Sequence, residues 1–228
     1  MANKKRKISP LYVHDKPKST VSEKFRGIRS NIMFSNAENE INSLLVTSEK
    51  PASGKSTISA NIAVTYAQAG YKTLIIDGDM RKPTQHYIFD LSNNSGLSNL
   101  IINKTTYSES IKETRVDNLA ILTAGPTPPN PSELIASSKF EDIFDELVIQ
   151  YDFIVVDTPP VNTVTDAQIY AQTVGNCVLV IDAEKNNKNE VKKAKDLLGK
   201  AGGKLLGAVL NKMPVDKNSS YYYYYGEE

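Results

Sequence analysis

The stretch "SEKPASGKST", residues 48–57, stands between the apolar run "SLLVTS" (43–48) and an amphipathic stretch from Lys55 to Ala69. Strand, tight turn and helix is the setting of a phosphate loop, because the N–H groups of the turn and of the helix start converge on one point. The pattern G-x-x-x-x-G-K-[ST] is met at Gly54, Lys55 and Ser56, with Glu49 in the first glycine position. Ser53, Gly54, Lys55, Ser56 and Thr57 form the candidate nucleotide cradle. Lys55 is expected to reach the β- and γ-phosphates, and the Ser56 hydroxyl to ligate Mg²⁺. The plain alternative for G-K-S-T is an ordinary helix start; the strand before it and the acidic residues downstream favour a nucleotide.

Those acidic residues close two further apolar runs. "LIIDGDMRKP" puts Asp77 and Asp79 at the end of one strand candidate, and "FIVVDTPP" puts Asp157 at the end of another. Ligands of open α/β sheets bind outside the carboxyl ends of the strands, so all three carboxylates point toward the phosphates. One such Asp alone reads equally well as a turn or helix cap; three beside a phosphate loop indicate a Mg²⁺-nucleotide site. Asn211 ends a later run in "VLNKM", where its amide is a candidate reader of an adenine edge.

Strand-like runs at 43–48, 73–77, 119–124, 153–157, 177–182 and 205–211 alternate with helical patterns. That order predicts an α/β fold with a mostly parallel central sheet covered by helices on both faces. Ile58, Ile62 and Tyr66 follow helical spacing after Lys55, with Gly70 as the stop, and 188–200 is a second clear helix. Short helices are expected at 96–102 and 107–113. Three segments follow: a flexible basic start over 1–19, a phosphate-loop domain over 20–213, and a disordered tail over 214–228.

A chain of 228 residues, 40% hydrophobic and 23% charged, is long enough to bury a sizeable core. A net charge of +1 gives no general attraction for nucleic acid. No apolar run nears the ~20 residues of a membrane span, and the lone Cys177 lies in an apolar strand, so a cytoplasmic protein is expected. Lys4, Lys5, Arg6 and Lys7 read either as a solvated start or as an attraction to an anionic membrane.

The phosphate loop, "LIIDGDMR" and "FIVVDTPP" resemble the MinD/ParA-like branch of P-loop NTPases. Together with "EKFRGIR", "PPNPSEL" and a tyrosine-rich C-terminus, they resemble the bacterial tyrosine kinases of the CapB type, which serve capsule biosynthesis. The resemblance covers nearly the whole chain. It implies an ATP- and Mg²⁺-dependent kinase that phosphorylates its own tyrosine cluster, here Tyr221, Tyr222, Tyr223, Tyr224 and Tyr225. It also implies a CapA-type membrane adaptor that recruits the kinase to the inner face of the plasma membrane, a homo-oligomeric ring of unphosphorylated subunits, and a cognate phosphotyrosine phosphatase. The family's oligomerisation motif E-x-x-R-x-x-R falls on Glu23, Arg26 and Arg29. Its catalytic motifs fall on Lys55, on Asp77, Asp79 and Arg81, and on Asp157. Asp77 is the expected base, Asp79 and Asp157 the Mg²⁺ holders, and Arg81 a neutraliser of developing charge, with the division among the aspartates open. Lys50 stands where MinD-like enzymes carry a signature lysine, but Pro51 and Ala52 replace the glycines that follow it there, so it reads as an incidental surface lysine.

Val21, Phe25, Ile28 and Ile32 form an apolar stripe on a helix over 20–35. "TVSE" reads as a capping box with Thr20 as N-cap, which gives Glu23 a local role beside the oligomeric one. Two rivals to the kinase remain from other classes: a MinD/ParA-type ATPase that positions cargo, and a polymer-export factor whose nucleotide site is purely structural.

Overall fold

A computed structural model describes residues 10–35 and 40–214. The basic cluster at Lys4–Lys7 and the tyrosines Tyr221–Tyr225 lie outside the described residues. The chain runs α1 (Tyr12–Asp15), α2 (Thr20–Phe34), β1 (Ser43–Ser48), α3 (Lys55–Gln68), β2 (Thr73–Asp77), α4 (Gln85–Phe89), α5 (Leu97–Ile101) and α6 (Tyr107–Ser110). It continues through β3 (Ile111–Glu113), β4 (Leu119–Leu122), α7 (Pro131–Ile135), α8 (Ser138–Gln150), β5 (Phe153–Asp157), α9 (Asp166–Val174), β6 (Asn176–Asp182), α10 (Lys188–Lys200) and β7 (Lys204–Asn211).

The strands form one sheet in the order β3-β4-β2-β5-β1-β6-β7, parallel throughout except for β3 against β4. Side chains alternate faces along a strand, so β1 feeds two cores at once. Leu44 and Val46 join Ile58, Ile62 and Tyr66 of α3 on one side. Leu45 joins Phe140 and Phe144 of α8 and Tyr170 of α9 on the other. Both faces of β1, β2, β4 and β5 are buried along their whole length, which is why their sequences are continuous apolar runs. Cys177 is buried within β6, as its apolar surroundings suggested.

The structure departs from the expected elements in three places. The helix expected over 107–113 stops at Ser110, and Ile111–Glu113 instead pairs antiparallel with β4 at the sheet edge. Three residues with one β-branched side chain carry no period long enough to announce a strand. The segment 10–19, expected to be flexible, is packed: Leu11 and Val13 are fully buried. Asn61 of α3 holds them, accepting from the Val13 N–H at 3.0 Å and donating to the Pro10 carbonyl at 2.7 Å.

The third departure is the start of α2. Its N-cap is Ser19, whose backbone is extended and whose side-chain Oγ accepts the Ser22 N–H at 3.2 Å. Thr20 is the first helical residue, so the expected T-x-x-E box does not form, and Glu23 pairs with Arg26 instead. Phe25 and Ile32 bury the apolar stripe while Val21 stays exposed. Arg29 turns inward and donates to the Thr65 carbonyl in the last turn of α3 at 2.6 Å, a favourable place for a cation. Ser19→Ala should therefore lower unfolding stability by about 1 kcal/mol in urea titration, whereas Thr20→Ala should stay within about 0.5 kcal/mol.

Candidate active site

The strand order β2-β5-β1 brings three chain segments together at the carboxyl edge of the sheet. Asp77 and Asp157 are the last residues of β2 and β5 and lie directly opposite each other in register. The phosphate loop leaves β1 beside them. Gly78 suits the position after Asp77, since a Cβ there would sit 3.0 Å from both the Asp157 carbonyl and the Tyr170 ring and one of them would have to shift. Gly54 is required for a different reason: its φ is +90°, and a Cβ would collide with the Asn211 side-chain nitrogen.

Lys55, the first residue of α3, places its Nζ 3.0 Å from Asp79 Oδ2, 3.5 Å from Asp157 Oδ1 and 3.1 Å from Ser56 Oγ. The sequence suggested a lysine that reaches the β- and γ-phosphates. In the free chain it is also the counter-charge of two carboxylates. Burial works against its charge, but Asp157 and Asp79 outweigh burial and raise its pKa above the ordinary lysine value.

Asp157 is fully buried and heavily held: Ser59 Oγ donates to Oδ1 at 3.2 Å, and Gln85 Nε2 donates to Oδ2 at 2.8 Å. Gln85 Nε2 also reaches the Ser56 carbonyl at 3.0 Å, tying the phosphate loop to α4. Asp77, equally buried, accepts the Thr84 and Gln85 N–H groups on Oδ2 at 3.0 and 2.9 Å. Its Oδ1 is buried without a partner among the described residues. Desolvation, and then the neighbouring Asp157, push the Asp77 carboxyl up to about 8. Asp79 is the carboxylate that reaches open space; its Oδ1 accepts the Lys82 N–H at 3.0 Å.

A cavity of about 380 Å³ opens over these groups, lined by Gly54, Lys55, Ser56, Thr57, Asp79 and Arg81 among others. Arg81 reaches it from a fixed root, forked onto Asp166 at 2.8 and 3.0 Å. Asn211 lies under the loop rather than over the cavity floor: its Nδ2 donates to the Ser53 carbonyl at 2.8 Å. That leaves its carbonyl oxygen for any contact with a base. Lys50 donates to the Lys185 carbonyl and sits near Glu49, in keeping with a surface lysine. The motif Glu23, Arg26 and Arg29 is on α2, apart from the cavity lining.

Residues 41–193 match an AAA domain. The CapB protein of Staphylococcus aureus is 86% identical over 228 residues, with both chains covered in full. The chain belongs to the bacterial tyrosine kinases. The kinase domain of the Escherichia coli tyrosine kinase ETK superposes with a TM-score of 0.84 at 32% identity, covering 91% of this chain and 83% of that one. The chimerical protein CapA2B2 superposes with a TM-score of 0.88 at 60% identity, covering 91% and 92%. Likeness to MinD of Pyrococcus horikoshii, at 24% identity and a TM-score of 0.66 over 77% and 72% of the two chains, shows the shared nucleotide-binding fold alone.

Within this kinase fold, sequence reading found the three aspartates, Lys55 and Arg81, and missed Gln85, Ser59 and Asp166. Gln85 sits in "PTQHY", where no motif singles it out. Gln85→Leu keeps the volume and deletes both donated bonds, leaving a buried carboxylate oxygen short of a partner. Stability should fall by about 1–3 kcal/mol in denaturant titration, together with a loss of kinase rate.

Proposed function

We propose that this chain is an ATP- and Mg²⁺-dependent kinase that phosphorylates its own C-terminal tyrosines, Tyr221–Tyr225, between subunits of a ring. Its role would be in capsular polysaccharide export under a CapA-type membrane adaptor, with a phosphotyrosine phosphatase to reset it. One observation carries the catalytic part: Lys55, Asp79 and the in-register pair Asp77 and Asp157 converge beneath one cavity at the switch point of the sheet. The adaptor rests on the likeness to CapA2B2. Among the described residues no helix is long and apolar enough to cross a membrane, so attachment at the inner membrane face would come from that adaptor.

The residues present suit Mg²⁺. The donors are all oxygens, and Asp77 Oδ1 lacks a partner among the described residues. Oxygen donors of this kind suit an ion held by one or two carboxylates, a serine and the phosphates themselves. Ser56, Asp79 and Asp157 would hold it. Bound with ATP, it supplies divalent charge beside the transferable phosphoryl group.

Phosphoryl transfer has a loose transition state, so the chain's task is positioning and charge neutralisation. The loop from Ser53 to Thr57 cradles phosphate, and Lys55 shifts its charge from the carboxylates toward the γ-phosphate. A tyrosine hydroxyl at ~10 and an ordinary aspartate at ~4 differ by about 8 kcal/mol for full proton transfer. Burial narrows that gap at Asp77, whose carboxyl stands at about 8. At neutral pH a carboxyl at about 8 carries a proton, so Asp77 acts as base only after the positive charge arriving with the nucleotide lowers that value and the proton leaves; it then orients the hydroxyl and takes its proton late.

The eight residues from Met213 to Tyr221 reach at most ~28 Å, a span that serves a neighbour's site as well as the chain's own. Each phosphotyrosine adds about −1.5 to −2 charge, so a fully modified tail beside Asp77, Asp79 and Asp157 is repelled and the ring loosens. Two measurements test this. Lys55→Met with an intact tail, mixed with active chain truncated after Ser220, should become labelled on tyrosine from labelled ATP, and phosphorylated parent should sediment as monomer. Free phosphate without tyrosine label would restore the cargo-positioning ATPase, and neither product would indicate a structural nucleotide. Separately, Glu23→Ala with Arg26→Ala should lower the mass seen by light scattering. Arg29 is left in place because it anchors α2 to α3, and an unchanged mass would return the pair to solvated surface.

A further inference from the structure

Three elements meet at the rim of the phosphate cavity: the loop after β2 with Arg81, the start of α7 with Ser132, and the start of α9 with Asp166. Arg81 Nε donates to Asp166 Oδ2 at 2.8 Å and Nη2 to Oδ1 at 3.0 Å, an in-plane fork that fixes the guanidinium in orientation as well as place. Ser132 Oγ closes the triangle, accepting from Arg81 Nη2 at 2.8 Å and donating to Asp166 Oδ1 at 2.7 Å. Asp166 is fully buried, while Arg81 lines the cavity.

We propose that Asp166, with Ser132, is a positioning residue for phosphoryl transfer, holding Arg81 at the cavity rim. This rests on the kinase reading above. Burying an ion pair contributes little to stability on balance, because desolvation offsets the attraction; what the fork does contribute is geometry. Arg81 feels the charge of Asp79, two residues earlier in the same loop. An unanchored guanidinium would fall onto that carboxylate and compete with Lys55, which holds it at 3.0 Å. Forked onto Asp166, Arg81 is kept off Asp79, and its Nη1 has no partner among the described residues. That edge is available to a phosphate oxygen as charge develops there.

The test is a mutant cycle on the full chain: parent, Asp166→Asn, Arg81→Ala and the double variant. Tyrosine labelling and phosphate release are measured against Mg²⁺–ATP concentration, with Mg²⁺–ADP affinity measured alongside. Asp166→Asn should lower kcat at least tenfold while KM for ATP and ADP affinity stay within threefold. The double variant should match Arg81→Ala within twofold, because Asp166 then has nothing to position. A kcat within twofold of the parent for Asp166→Asn, or a double variant slowed by the product of the single effects, overturns the proposal. Should Asp166→Asn fail to fold, Ser132→Ala carries the same cycle: a threefold or greater loss of kcat that vanishes when Arg81 is alanine supports it, and a loss that persists overturns it. A parent that yields neither labelled tyrosine nor free phosphate removes the kinase reading and this role with it, an outcome distinct from an active parent with an additive cycle.

Discussion

Asp77 and Asp157 end neighbouring parallel strands in register, both fully buried, with Asp79 two residues along. Buried carboxylates are costly unless charge or donated hydrogen bonds compensate them. The surrounding structure follows from that requirement. Thr84, Gln85, Ser59 and Lys82 turn donors toward the three carboxylates, and Lys55 is the cation that touches two of them. Even so, Asp77 remains raised to about 8 by burial and by Asp157. The centre is short of positive charge by construction, which is the condition in which a divalent cation is welcome. It would also let the lysine be drawn toward phosphate, since a cation arriving with the nucleotide would take over its two carboxylate partners.

The parallel sheet was legible because central strands covered on both faces must be apolar throughout, and β1, β2, β4 and β5 are. The site was legible to the extent that its residues end such strands: Asp77, Asp157 and the loop before Lys55 all do. What escaped has no period and no strand end to mark it. Gln85 enters through a short helix of five residues, and Asp166 reaches Arg81 across 85 positions of sequence. Pairing at that separation is decided by topology, which residue types do not encode locally. The strand β3 escaped because three residues at an edge carry too little pattern.

Helix α2 shows how a local rule gives way to a competing one. Thr20 and Glu23 satisfy the capping-box pattern, yet Ser19 also qualifies as N-cap and takes the place. Tertiary contacts decide between them, since Ser22 is fully buried and its Oγ donates to the Lys16 carbonyl at 2.6 Å. Starting the helix one residue earlier sets Ser22 against the turn after α1 and frees Glu23 to meet Arg26 on the exposed face. Arg29, one turn on, is committed to the Thr65 carbonyl. The three residues of one motif therefore have unequal freedom: Glu23 faces outward, Arg26 is half-buried and also donates to the Pro17 carbonyl at 2.7 Å, and Arg29 is tied to α3.

The phosphate loop itself is held from the far side of the sheet edge. Asn211, at the end of β7, takes the Ser53 carbonyl at 2.8 Å, and Lys212 takes the Ala52 carbonyl at 2.7 Å while also pairing with Asp182 at 2.8 Å. A loop that cradles phosphate needs its N–H groups turned toward the ligand and its carbonyls turned away, and carbonyls left loose would compete for the same space. These two donors at the end of β7 and just after it settle the carbonyls. The first N–H groups of α3 then remain as donors without intrahelical partners, and the missing Cβ of Gly54 gives Asn211 the room to do this. The cost of ordering the loop is thus met in the folded chain before any nucleotide arrives, which is what electrostatic preorganisation requires. The same two residues stand immediately before Met213, so the root of the tyrosine-bearing segment is fastened to the loop that grips the phosphates.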